Sequence, residues 1–154
     1  MRIEIKSDLT ADQKEIVTKM WNAEYPKQLS YSGVADFEKF LNGISDRRHF
    51  LLFDENESIK GWLVTFTREN ERWFSVIVDG NEQRKGCGTT LLNELKRSES
   101  DVNGWIIAHD DYFKSSGEKY PSPSGFYSKN GFTILPDVRL EKEDFYAVKI
   151  NWTN

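Results

Sequence analysis

The chain has 154 residues, 38% of them apolar and 30% charged, the size and balance of one folded domain with one core. A net charge of −4 with no dense Lys/Arg run argues against nucleic acid as a partner, because phosphate-backbone binding relies on clustered cations. Cys87 is the only cysteine and His49 and His109 the only histidines, which excludes an intrachain disulfide and leaves too few soft ligands for a structural zinc site, so no metal is expected.

Arg2-Ile3-Glu4-Ile5-Lys6 alternates polar and apolar residues and predicts a first strand. This amino terminus has no apolar signal core, and no stretch reaches the length of a membrane span, so the cytoplasm is the expected location and no membrane partner is expected. Thr10-Ala11-Asp12-Gln13 has capping-box form, with Ile16, Val17 and Met20 at helical spacing, which predicts a helix to about Ala23. Val34, Phe37, Phe40, Leu41 and Ile44 predict a second helix stopping near Gly43. From His49 the period changes to two, and His49–Phe53, Ile59–Thr67 and Arg72–Val78 read as three antiparallel strands joined by short polar turns. Leu91, Leu92 and Leu95 mark a third helix, and Trp105–Ala108 a buried strand. His109 to Gly125 lacks periodicity and reads as a long loop, a kind of segment that is often functional. A short helix through Phe126–Lys129 should end at Asn130-Gly131, with strands near Phe132–Leu135 and Phe145–Trp152. Residues 1–154 therefore read as a single α/β domain of α+β type, with a mixed, mostly antiparallel central sheet flanked by helices.

The segment Val76-Ile77-Val78-Asp79-Gly80-Asn81-Glu82-Gln83-Arg84-Lys85-Gly86-Cys87-Gly88 passes from a buried strand through a turn into the start of a helix. Free N–H groups and the positive end of the helix dipole suit an anion there, and glycines allow the backbone to come close to it. A Walker loop requires Ser or Thr after Gly-Lys, whereas Lys85 precedes Gly86 and Cys87 follows it. A dinucleotide fingerprint requires a small residue where Leu91 stands, and it opens a parallel βαβ unit.

Gln83, Gly86 and Gly88 fall in the places of the Q/R-x-x-G-x-G/A signature, and Phe126-Tyr127-Ser128-Lys129-Asn130-Gly131-Phe132 looks like an F-Y-x-K-x-G-F element. Together these resemble the GNAT superfamily of N-acetyltransferases over nearly the whole chain. Two departures are Gly80, where the family often has proline, and Cys87, between the glycines, which reads as packing. The resemblance implies acetyl-CoA as cosubstrate, with pyrophosphate on the backbone of Arg84, Lys85, Gly86, Cys87 and Gly88, Thr89 close by, and pantetheine beside Val76, Ile77 and Val78. It also implies Tyr127 as the acid that protonates the leaving thiolate. His109, Asp110 and Asp111 cluster where the strand before the long loop ends, and are candidates for the base that takes the amine proton. His49 and Glu71 read as structural.

The implied reaction is acetyl transfer to a primary amine of a small molecule or peptide by direct attack, with a catalytically silent CoA-binding regulatory module as the alternative and a homodimer left open. By the same resemblance Trp21, Tyr25, Tyr31 and Phe37 are candidate acceptor walls, though they read equally well as core. Carboxylates near the site of an acidic chain would tolerate a cationic amine. The loop from Asp110 to Ser124, with Tyr112, Phe113 and Tyr120, is expected to border the acceptor and to become more ordered with ligands.

Overall fold

The computed structural model describes residues 1–154. Its strands are β1 Arg2–Lys6, β2 Ser45–Phe53, β3 Ile59–Arg68, β4 Glu71–Val78, β5 Asp101–Ile106, β6 Thr133–Glu141 and β7 Tyr146–Thr153, in one sheet of order β1-β2-β3-β4-β5-β7-β6. Helices α1 (Ala11–Glu24) and α2 (Val34–Asn42) cover one face, and α3 (Cys87–Ser98) and α4 (Ser124–Lys129) the other.

Local chemistry accounts for the elements. The Thr10 hydroxyl accepts from the Gln13 N–H at 3.2 Å while the Gln13 carboxamide oxygen accepts from the Thr10 N–H at 2.9 Å, so the capping box closes α1 as the sequence predicts. Val17 and Met20 then face Phe37 and Leu41 of α2 in a core that also holds Trp62 and Trp73. On the opposite face Leu91, Leu92 and Leu95 of α3 pack on Phe50, Leu63 and Phe74. The β3–β4 hairpin turns through Glu69 and Asn70, at φ +53° and +64°, the left-handed pair that a two-residue turn requires.

Three strands differ from the sequence reading, the first being β2, which begins at Ser45 rather than His49. β5 starts at Asp101 and ends at Ile106 rather than spanning Trp105–Ala108. Its first residues look like a turn in sequence, but Asn103 is buried and bonded to Asn151 and to the Arg72 carbonyl, while Gly104 makes room for the Phe74 ring. β6 continues to Glu141 because a register shift between Leu135 and Arg139 absorbs Pro136 and Asp137.

The parallel β4–β5 pair positions the site. The two strands are in register only at Trp73 and Asn103, and every other neighbouring pair in the sheet is antiparallel. The Asn103 carboxamide holds that end by donating to the Arg72 carbonyl at 3.2 Å. Further along, the Tyr25 hydroxyl donates to the Val76 carbonyl at 2.6 Å, taking a place that a β5 amide would otherwise fill. β4 and β5 therefore splay, and the sheet opens toward the carboxyl end of β4.

Candidate active site

The open edge of β4 forms one wall of a cleft of about 410 Å³. Val76, Ile77 and Val78 line it, and the start of α3 closes one end with Gln83, Arg84, Gly86, Gly88 and Thr89. Val76 directs its carbonyl to Tyr25, and two residues on Val78 directs its own to the Gln83 carboxamide at 3.2 Å. Strand alternation turns the N–H groups of these two residues toward the cleft as well.

Gly86 is the N-cap of α3 at φ +82°, no side chain caps the helix, and a Cβ built there meets nothing within 4 Å. The amides of Cys87, Gly88 and Thr89 thus begin a helix with an open cradle in front of them, which fits a phosphate group. A Cβ on Gly88 would come within 2.9 Å of the Phe126 ring, so this glycine is required by close packing of α3 on α4. Arg84, at φ +67°, lines the cleft, while Lys85 does not line it and pairs with Glu82 at 3.7 Å. The Cys87 side chain is buried in the core beside Met1, consistent with a packing role.

Gln83 also reaches Glu24 at 3.3 Å, and Glu24 accepts from the Gly80 amide at 3.1 Å and pairs with Lys114 at 3.2 Å. One carboxylate at the end of α1 thereby ties together the glycine turn and the long loop. Nothing in the sequence near Glu24 marks it for this task.

A second pocket of about 300 Å³ adjoins the first, and Tyr25, Val76 and Tyr120 line both. Tyr127 lines this second pocket, 5% exposed, with its ring against Phe74, Phe126 and Phe132. Burial raises the pKa of Tyr127 and likewise of Tyr25 and Tyr120, and the neighbouring phenols raise those of Tyr25 and Tyr127 further. All three hydroxyls stay protonated through the neutral range. Trp21, Tyr25 and Tyr31 line the second pocket, whereas Phe37 is fully buried core.

His109 and Asp110 lie elsewhere. The His109 ring packs on Tyr112 and Tyr146 at 4.3 and 5.1 Å, its Nδ1 accepting from the Asp111 amide at 3.1 Å. Asp110 is exposed and accepts from the Ser122 amide at 2.7 Å, clamping the loop. Neither residue lines either pocket; the carboxylate nearest the site is Glu24, which lines the first pocket, and the second pocket has none. His49 is core, with its Nδ1 accepting from the Trp62 indole at 3.0 Å.

The long loop is anchored. It bridges Pro26 through Lys114, its Phe113 carbonyl accepts from the Lys27 amide at 2.8 Å, and Lys114, Tyr120 and Pro121 line the first pocket. Tyr120 is thus the loop aromatic that reaches both pockets, while Phe113 is 41% exposed.

No helix is long and apolar enough to cross a membrane. No group of three or more His, Cys, Asp or Glu side chains is arranged to hold a metal ion.

Among solved structures the fold is similar to an aminoglycoside 6'-N-acetyltransferase complexed with coenzyme A (TM-score 0.72, 14% identity, covering 99% of this chain and 97% of that one). It is also similar to a GNAT superfamily phosphinothricin acetyltransferase from Sinorhizobium meliloti in complex with AcCoA (TM-score 0.66, 15% identity, 99% and 88%). A third is a variant of a spermidine N-acetyltransferase from Vibrio cholerae (TM-score 0.64, 15% identity, 98% and 94%). Curated protein sequences returned no match. The family model described as acetyltransferase (GNAT) domain matches residues 45–134, which include the glycine turn, the splayed strands and Tyr127. With that match over more than half of its length, the chain belongs to the GNAT family of acetyltransferases.

Proposed function

We propose that this chain transfers an acetyl group from acetyl-CoA to a primary amine of a small molecule or peptide by direct attack. The observation that carries the reading is the continuity of two unlike pockets through Tyr25, Val76 and Tyr120, one ending on the uncapped start of α3 and the other lined almost wholly by apolar and aromatic side chains. In this reading the amides of Cys87, Gly88 and Thr89 hold the pyrophosphate, with Arg84 adding positive charge. The open edge at Val76 and Val78 pairs with the pantetheine arm as an added strand would. Two structures of similar fold that carry coenzyme A or AcCoA, together with the family match, support acetyl-CoA as the cosubstrate.

The neutral amine nitrogen attacks the thioester carbonyl carbon, a C–N bond forms, the C–S bond breaks, and the amine's surplus proton leaves to solvent. A β4 amide facing the cleft is suited to the developing oxyanion, and Tyr127 supplies the proton for the departing thiolate and regains one from solvent before the next turnover. Water takes the role for which His109 and Asp110 are candidates in sequence, because no carboxylate or imidazole lines the second pocket.

Calorimetry tests the cosubstrate. Acetyl-CoA should bind the wild-type chain, and Gly86→Glu should abolish binding by placing a carboxylate in the cradle. Unchanged affinity in that folded variant refutes the assignment. Thiol release over an amine panel tests turnover, and tight acetyl-CoA binding without turnover of any amine would favour a silent CoA-binding module.

A further inference from the structure

The chemistry of the second pocket bears on what kind of amine enters it. Of its 19 lining residues 17 are hydrophobic, and the other two are Ser75 and Arg68. At about 300 Å³ it lies at the lower end of the range for small-molecule sites. Trp73 and Trp105 stack at 5.2 Å and 23° along one wall, and the buried indole N–H of Trp73 has no hydrogen-bond partner. Arg68 is exposed, with its guanidinium 5.1 Å from the Phe66 ring, and the Lys149 ammonium stands 5.4 Å from the Trp73 ring.

We propose that the acceptor is a small monoamine with an aromatic or otherwise apolar body, and that polycationic amines of the polyamine or amino-sugar type are disfavoured. This rests on the acetyl-transfer reading above. A polycation gives up water at each ammonium and needs a carboxylate or a dense set of acceptors in return. This pocket has no carboxylate, and Arg68 in its lining repels a second positive charge, while the Lys149 ammonium beside Trp73 is paired with Glu71 at 3.8 Å. A single amine meets a different environment. There it lies among the rings of Tyr25 and Tyr120, which line both pockets, and of Tyr127, which lines the second, and these tolerate one ammonium until it loses its proton. Its apolar body then covers the Trp73–Trp105 wall and displaces water from apolar surface. Arg68 ends β3, five positions beyond Leu63, the partner of Val76, so it lies about 17 Å along the strand from the junction and guards the far end.

The test has three parts. Calorimetry first establishes acetyl-CoA binding, and its absence sinks both this proposal and the reading beneath it. Steady-state kcat/KM is then measured for phenethylamine and tryptamine against spermidine and kanamycin, with an expected advantage of at least about tenfold for the arylalkylamines. Phenethylamine, which has no indole of its own, should also change the intrinsic tryptophan fluorescence in the absence of turnover, through the pocket's Trp21, Trp73 and Trp105. Finally Arg68→Glu, which removes one repulsive charge and adds an attractive one, should narrow the ratio toward spermidine by about tenfold. Equal or better turnover of spermidine or kanamycin by the wild-type enzyme overturns the proposal while leaving acetyl transfer intact. Turnover of neither class by enzyme that binds acetyl-CoA overturns it as well.

Discussion

Tyr127→Phe isolates one oxygen atom in the lining of the second pocket. The ring contacts to Phe74, Phe126 and Phe132, at 6.1, 5.2 and 5.3 Å, remain in place, so folding and acetyl-CoA affinity should change little. Burial already holds the Tyr127 phenol protonated well beyond neutral pH, so the acid form is fully populated at any working pH and its ionisation contributes no alkaline limb to the rate profile. Removing a positioned general acid costs about a hundredfold or more in rate, roughly 3 kcal/mol of barrier. The loss should appear in single-turnover measurements, because slow product release could mask it in steady state. Wild-type single-turnover rates across the pH range would refute the assignment. Tyr120→Phe is the matched control, since the Tyr120 phenol also lines the second pocket and reaches the first as well. A large loss there with none at Tyr127 would move the role to Tyr120.

Three further outcomes follow from the packing. Gly104→Ala places a Cβ 2.7 Å from the Phe74 ring inside the core and should lower stability by about 1–3 kcal/mol in urea unfolding, with an unchanged midpoint arguing that β5 is placed otherwise. Burial lowers the His49 pKa from 6.5 to about 4, so below pH 6.5 the unfolded chain takes up the proton first and the folded state loses stability as pH falls through that window. The full effect is about 3 kcal/mol, and equal denaturation midpoints at pH 7 and pH 5 would contradict it. Hydrogen exchange in the loop around Tyr120 should slow when acetyl-CoA and amine are both present, because that residue lines both pockets; no change would make the loop a passive brace.

The anion cradle was legible in sequence because its requirements are carried by the backbone. A position at φ +82° with open space beyond it calls for glycine, and Gly88 is demanded by the Phe126 ring, so both residues stand out in any reading of the chain. The helices were legible for a similar reason, since Thr10 and Gln13 encode their own contact within one turn. The start of β5 was hidden because its stabilising contacts are remote. Asn103 becomes a strand residue by bonding Asn151, 48 positions away, and the Arg72 carbonyl, 31 positions away.

The acceptor side depends on just such remote contacts. Period-two patterning identifies β4 and β5 but is silent about where two parallel strands part, and here the parting depends on a phenol from the end of α1 bonding a carbonyl 51 positions later. The same distance hid Glu24, whose carboxylate gathers the Gly80 amide, Gln83 and Lys114 from three separate segments. His109 and Asp110 carry the residue types of a proton acceptor at the end of a strand that leads to the site, yet side-chain direction decides their use. One ring is held by Tyr112 and Tyr146, and the exposed carboxylate is held by Ser122. In the proposed reaction, with protonated phenols and no fixed base beside the transfer point, the acceptor sheds its proton to water. The apparent pKa of kcat/KM should therefore follow the amine's own pKa from one acceptor to the next, and a value fixed across amines of different basicity would require a protein base.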